Sequence, residues 1–479
     1  MKNLWTRREV ARLLGIAAVP SLLPVVAHAA APGDDGFSSS FLWGSATASY
    51  QVEGAVHEGG RGPSIWDTFS HTPGKIANGD TGDVADDFYH RYRDDVQLMK
   101  RLGLQAFRFS VAWSRIFPSG SGQPLAQGLD FYKRLVTELK TNGIEPFCTL
   151  YHWDLPQALQ DKGGWENSDT AHRLAEYEGY VAGELSRLGV KHFFTINEMR
   201  TFVELGYGNG THAPGLKLTR KALAQVRHNV LLAHGLSVQA IRAKGSQGVQ
   251  AGLCENVTVP VPVTLRSEDI QAAAIAIREE NAGYLTAVFE GKYTERYLRE
   301  LGDDAPHFTP DEMRAIGSPL DAVGLNIYTP TYVRSTAGGY EALPMPANFP
   351  RMASDWLKVG PECMYWGPKL VQEAWKPRAI YITENGCSAA DQMTAQGEIL
   401  DTDRIMYLRN CLGQMRKALN EGAGVKGYFV WSLLDNYEWA DGYGKRFGVV
   451  YVDYQTQKRT PKLSAKFYSS VIASRGSGL

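Results

Sequence analysis

One alternation, repeated along almost the whole chain, restricts the fold more than any other feature. Runs rich in β-branched and aromatic residues fall at 42–51, 106–113, 145–153, 192–198, 249–257, 322–328, 379–384 and 427–434, and helical periodicity fills the gaps. After the first run, Phe88, Tyr92, Val96, Met99 and Leu102 recur every three or four residues and stop at Gly103. After the second, Leu129, Tyr132, Leu135 (or Val136) and Leu139 do the same and stop at Gly143. Continuous apolar strands alternating with helices predict a parallel sheet covered on its outer side. No linker, charge block or repeat divides the chain from Phe37 onward. Eight units without a boundary favour a single (β/α)8 barrel, a TIM barrel over residues 37–475, rather than a doubly wound sheet. In such a barrel the active site belongs at the C-terminal rim of the strands.

Charge narrows the partners. Lys plus Arg number 50 against 51 Asp plus Glu in 479 residues, so nothing electrostatic points to nucleic acid or an anionic membrane. Aromatics are abundant, with 23 Tyr, 18 Phe and 11 Trp. They serve either a large core or a cleft for flat, amphipathic ligands such as sugar rings. Cys148, Cys254, Cys363, Cys387 and Cys411 are scattered and form no C-x-x-C pair, which makes them apolar packing residues expected to stay free thiols.

The first residues read as an address. Thr6-Arg7-Arg8-Glu9-Val10 precedes a stretch, 13–27, that is apolar apart from Ser21, and A-x-A sites follow at Ala27-His28-Ala29 and Ala29-Ala30-Ala31. Pro20 and Pro24 make it a poor membrane span. Residues 1–29 are therefore expected to be an export signal and 30–36 a short linker. The paired arginines resemble a twin-arginine signal; an ordinary general-export signal remains the alternative. Either route places the mature chain outside the cytoplasm, with the periplasm favoured and secretion the alternative. No cysteine precedes Cys148, so no lipid anchor is available at a processed N-terminus, and no stable membrane anchor is expected.

Polar residues gather at the strand ends. Run four ends Thr195-Ile196-Asn197-Glu198, and run seven ends Ile382-Thr383-Glu384-Asn385-Gly386. A single rim glutamate could pair with a lysine and serve only the fold. Two, on strands four and seven, face each other across a barrel mouth. Like charges close together push one pKa upward and yield one acid and one carboxylate, the pair that glycoside hydrolysis requires. Gln51 closes the first run, Arg108 lies in the second, and His152-Trp153-Asp154 closes the third. Asn326 and Tyr328 close the sixth, and Trp431, Glu438 and Trp439 lie at and after the eighth. Carboxamide, imidazole and carboxylate groups suit sugar hydroxyls, which both donate and accept. His152 with Asp154 lacks the further ligands a metal site needs, and no phosphate-cradling glycine loop follows a strand, so neither metal nor nucleotide cofactor is expected.

With these residues in place, the chain resembles the family 1 glycoside hydrolases, the β-glucosidase family, over nearly its whole mature length. The resemblance rests on FLWGSATASYQVEG (41–54), FRFSVAWSRI (107–116), YHWDLP (151–156), TINE (195–198), NIY (326–328), ITENG (382–386), WSLLDNYEW (431–439) and KRFG (445–448), in that order. It implies that Glu384 is the nucleophile and Glu198 the acid/base of a retaining enzyme that uses no cofactor. Arg108 and Tyr328 would hold and tune Glu384, and Asn197 would bind the hydroxyl at C2. Gln51, His152, Asn326, Glu438 and Trp439 would contact the rest of the sugar, with Trp431 and Phe447 as apolar walls. The substrate implied is a small β-glycoside or short oligosaccharide. Glu198 argues against the thioglucosidase branch, which lacks this acid, and Glu438 against the 6-phospho branch.

Two positions depart from the family pattern. Met199 stands where proline usually follows the acid/base, which removes a bias of Glu198 toward extended geometry and loosens its expected restraint. The usual aglycone-side tryptophan aligns with Leu357, and Trp356 sits one position away. The leading expectation is an exo-acting β-glucosidase. Alternatives are a transglycosylase, or a β-galactosidase or β-fucosidase of the same family. A non-catalytic carbohydrate-binding barrel would lack one of the two glutamates, and an exported redox enzyme would show a cofactor motif.

Overall fold

The computed structural model describes residues 36–479; the expected signal, 1–29, and linker residues 30–35 lie outside the described residues. The eight apolar runs form strands β1 (Leu42–Ala46), β2 (Ala106–Ser110), β3 (Glu145–Tyr151), β4 (His192–Asn197), β5 (Gln250–Asn256), β6 (Ala322–Asn326), β7 (Ile380–Asn385) and β8 (Val425–Trp431). Each pairs in parallel with its neighbours in sequence, and β1 pairs with β8 from Leu42↔Gly427 to Ala46↔Trp431 to close the barrel. The main covering helices are α1 (Phe88–Arg101), α2 (Ala126–Thr141), α3 (Asp169–Ser186), α4 (Arg220–Lys244), α5 (Ser267–Glu279), α6 (Cys363–Trp375), α7 (Thr402–Asn420) and α8 (Leu463–Ala473). The expected (β/α)8 architecture is the observed one.

The helices sit where their apolar stripes require. In α1, Phe88, Tyr92, Val96 and Met99 are buried; in α2, Leu129, Tyr132, Leu135, Val136 and Leu139 are. Aromatic rings fill the barrel. Phe147 of β3 packs against Phe429 of β8 at 4.8 Å and Tyr381 of β7 at 5.2 Å, contacts that only an interior position allows between non-adjacent strands. Gly44 makes room for this plug, since a Cβ there would stand 2.5 Å from the Phe429 ring. All five cysteines are buried free thiols. Among the described residues no helix is long and apolar enough to cross a membrane.

Several strands stop short of the runs in the sequence: β3 ends at Tyr151, β6 at Asn326 and β8 at Trp431, so His152, Trp153, Asp154 and Tyr328 lie just beyond their strands, and in β1 and β2 a helical turn takes over. β1 stops at Ala46, and Ser49–Val52 is a separate helical turn, so Gln51 lies beyond the strand rather than closing it. β2 stops at Ser110, and Trp113 opens the short helix Trp113–Ile116. In both places aromatic and β-branched residues continue to be buried after the strand ends, so composition alone does not mark the boundary.

Candidate active site

A cleft of about 670 Å³ opens at the C-terminal ends of the strands. His152, Asn197, Glu198, Asn326, Tyr328, Glu384, Trp431, Glu438, Trp439 and Phe447 all line it. Gln51 and Arg108 do not line it and lie behind, with neither side chain reaching solvent.

Arg108 organises the floor. From β2 its guanidinium donates to Glu384 Oε1 at 2.6 Å, to Asn197 Oδ1 at 2.6 Å and to Thr149 Oγ1 at 2.9 Å. Tyr328 donates its hydroxyl to the other Glu384 oxygen at 2.8 Å. Glu384 is the penultimate residue of β7, and Gly386, just after the strand, is needed because a Cβ there would meet the Trp431 carbonyl at 1.8 Å. Burial pushes the Glu384 carboxyl upward, while Arg108 and the hydrogen bond from Tyr328 oppose that shift. Burial and the nearby carboxylates keep the Tyr328 phenol protonated, so it remains a donor.

Glu198 occupies a different environment on the opposite side. It follows β4 in a left-handed conformation, φ 48° and ψ 67°. Asn326 Nδ2 donates to its Oε1 at 2.8 Å, and the Thr201 hydroxyl to its Oε2 at 2.7 Å. The Asn326 amide is held in that sense because its own oxygen accepts from Thr383 at 2.7 Å. Among the described residues no arginine or lysine bonds Glu198. Burial, and then the charge of Glu384, raise its pKa to about 8. The pair is thus divided: Glu384 shares a proton donor and a guanidinium, whereas Glu198 holds its own proton near neutral pH.

The sugar-facing wall is polar and aromatic. His152 sits with Nε2 3.0 Å from Asn197 Nδ2, its Nδ1 has no partner among the described residues, and burial together with Arg108 keeps the imidazole neutral. Gln51 donates to Asn436, to the Tyr437 carbonyl and, at 3.4 Å, to Glu438, while its buried Oε1 is unpartnered. Burial and then Asp441, Glu384 and Glu198 push the Glu438 carboxyl well up. Trp153, with φ 78°, donates its indole N–H to the Asn197 carbonyl and packs 4.5 Å from Trp439. Trp439 is itself left-handed, φ 51°. Backbone strain therefore collects around the cleft, as is common where side chains are aimed at a ligand. Among the described residues no three His, Cys, Asp or Glu side chains gather to hold a metal ion.

Met199 does not leave Glu198 loosely restrained: its N–H, which a proline would lack, donates to Glu255 Oε2 at 2.9 Å. The question of Trp356 against Leu357 also resolves. Leu357 is buried, whereas Trp356 is 49% exposed, lines the cleft, lies nearly parallel to Phe447 and meets Tyr328 edge-on at 5.5 Å. Sequence reasoning missed Thr149, Thr201, Glu255, Asn256 and Thr383. The rule that strand ends carry polar groups, applied to the fifth run, would have found Glu255 and Asn256. Thr258 and Thr329 come from loops and Thr331 from a short strand outside the barrel, Pro330–Thr336, where the barrel's periodicity does not mark them.

Known proteins share this arrangement of strands and sequence. The family model described as glycosyl hydrolase family 1 matches residues 34–477. A beta-glucosidase A from Acetivibrio thermocellus is 43% identical over 451 residues, covering 92% of this chain and 99% of that protein. A bifunctional beta-D-glucosidase/beta-D-fucosidase from Bifidobacterium breve is 39% identical over 461 residues, covering 91% and 98%. Among solved structures, a beta-glucosidase from Thermotoga maritima in complex with glucoimidazole superposes with a TM-score of 0.84 at 41% identity, covering 92% of this chain and 99% of that one.

Proposed function

The chain belongs to glycosyl hydrolase family 1, and from that premise we infer that it is a retaining β-glucosidase acting on terminal β-glucosides through Glu384 and Glu198. One observation carries the assignment of roles: of two buried glutamates at the barrel mouth, only Glu384 is paired with an arginine. Glu384 attacks the anomeric carbon while Glu198 gives its proton to the glycosidic oxygen, so the aglycone leaves as a neutral alcohol and an ester joins sugar to enzyme. Glu198, now ionised, takes a proton from water. That water attacks the same carbon and releases Glu384, restoring both groups and the original β configuration.

The supporting residues follow from their contacts. Arg108 and Tyr328 favour the ionised nucleophile. Asn197, held by Arg108 and Asn326, presents its amide near the C2 hydroxyl, and Asn326 directs Glu198. His152, Glu438 and Trp439 meet the remaining hydroxyls, Gln51 orients Glu438, and Trp431 and Phe447 form apolar walls. Beyond the sugar, Thr258, Thr329 and Thr331 line the same cleft as Trp356, a mixture of hydroxyls and an aromatic ring suited to a hydroxylated aglycone or a second sugar. The chain is further read as an exported enzyme, periplasmic by a twin-arginine route, on the strength of Arg7-Arg8 and the apolar segment after them.

Replacing Glu384 tests the mechanism. Glu384→Gly should abolish hydrolysis of activated aryl β-glucosides, and azide or formate should restore part of it. The small anion attacks from the vacated face and gives a product of inverted configuration. Full activity without added anion, or rescue with retained configuration, removes Glu384 from this role.

A further inference from the structure

Three consecutive amides beyond β4 are gripped by the end of one neighbouring strand. The Glu198 N–H donates to the Cys254 carbonyl at 2.8 Å, the Met199 N–H to Glu255 Oε2 at 2.9 Å, and the Arg200 N–H to Glu255 Oε1 at 3.2 Å. One residue further along β5, Asn256 Nδ2 donates to Thr201 Oγ1 at 2.7 Å, and that hydroxyl donates to Glu198. A left-handed glutamate is strained and persists only where its surroundings fix it. The grip of β5 supplies that fixing. We propose that Glu255 is a positioning residue for Glu198, its buried carboxylate clamping the Met199 and Arg200 amides so that the turn aims the acid/base into the cleft.

The chemistry suits this task and little else. Glu255 is fully buried and absent from the cleft lining, so it does not touch substrate. Among the described residues no cation bonds it; the Arg200 guanidinium instead donates to the Glu280 carbonyl and Asn281 Oδ1. A buried carboxylate spent on two backbone amides is a costly tie. Only an ionised carboxylate presents two acceptor oxygens side by side, since a glutamine accepts with one and donates with the other. The partner donor depends on Met199, because proline at that position would carry no N–H. Glu255 also acts through its charge. Burial raises its pKa to about 7, opposed by Arg200, so it is ionised above that pH and its charge helps Glu198 to keep its proton.

The proposal rests on Glu198 being the acid/base, and the test separates the two. We would measure kcat/KM across aryl β-glucosides whose leaving groups range from dinitrophenol to unactivated phenols, with full pH profiles. Glu255→Leu should lower kcat/KM about 10- to 100-fold for poor leaving groups, which need protonation, and only about twofold for dinitrophenol. Its basic limb should move to lower pH, because a negative charge beside Glu198 is gone. Glu198 also faces Glu384 from β7, Arg108 from β2, Tyr328 after β6, Glu438 after β8 and Cys254 from β5, all kept in the variant. Glu255→Gln should fall between, keeping one acceptor. Met199→Pro removes a donor without touching the carboxylate, and should add little further loss to Glu255→Gln, as partners in one contact do. Equal loss for every leaving group, or an unmoved basic limb in both Glu255 variants, overturns the proposal while the wild type stays a β-glucosidase. A wild type inactive on the whole series overturns the functional reading and this one together.

Discussion

At pH 7 Glu198 holds a proton that the same side chain would shed in the unfolded chain, because burial and Glu384 lift its pKa from an ordinary 4.5 to about 8. Between those two values the folded protein binds more protons than the unfolded one, so folding weakens as pH rises through that window. Acid catalysis therefore has a cost in stability. Glu198→Gln keeps the shape, carries no titrating proton, and should show a thermal midpoint that gains on the wild type by a few degrees (about 2–5 °C) between pH 5 and 9. A constant difference across that range shows that the carboxyl is not shifted. Activity should tell the same story. The wild-type kcat/KM profile should fall on its acidic side as Glu384 is protonated and on its basic side near pH 8 as Glu198 ionises, the two titrating as a pair. Glu198→Gln should lose the basic limb and suffer least with the best leaving groups. The sequence located both glutamates, since each ends an apolar run at a barrel rim. It could not show which oxygen Arg108 takes or that Glu198 turns left-handed, because both depend on partners 276 and 56 residues away.

At the scale of elements, periodicity placed every barrel strand and both helices read in detail, yet it overran the C-terminal ends of several strands, most plainly β1 and β2, where burial continues into short helical turns. The loops were less legible. Trp356 and Leu357 differ by one position in sequence but by a full change of environment, cleft against core, and alignment by spacing favoured the buried one. Their segment, after β6, projects Trp356 over the mouth with Phe447 and Tyr328 as its supports. An aromatic face of this kind contributes about 0.5–1.5 kcal/mol to a stacked ring, or roughly 2- to 10-fold in binding. Trp356→Ala should accordingly raise KM for aryl β-glucosides and cello-oligosaccharides by that factor and leave kcat nearly unchanged, because the contact is equal in ground and transition states. A fall in kcat at constant KM instead makes Trp356 part of the reaction step.

At the scale of the whole molecule, the barrel joins the two ends of the described chain. β1 meets β8 along five residue pairs, the Phe37 N–H donates to the Arg475 carbonyl, and the Tyr468 hydroxyl of α8 donates to the Gly44 carbonyl. The first of these contacts must wait for β8, and the other two for α8 and the residues after it. Closure across nearly the full sequence makes folding slow and leaves strand edges unpaired in the meantime, a state prone to aggregation. An export route that carries folded cargo avoids presenting that state outside the cell's chaperones, and five buried free thiols are compatible with folding in a reducing compartment. The arginines ahead of the apolar segment are the residues that such a route would read. Replacing Arg7 and Arg8 together by lysine preserves charge and should leave active, unprocessed enzyme in the cytoplasm, measured as aryl β-glucosidase activity in cell fractions and as chain mass. Mature enzyme reaching the periplasm at the wild-type rate shows that the general route suffices. Unprocessed chain that accumulates without activity shows instead that this barrel does not close before export.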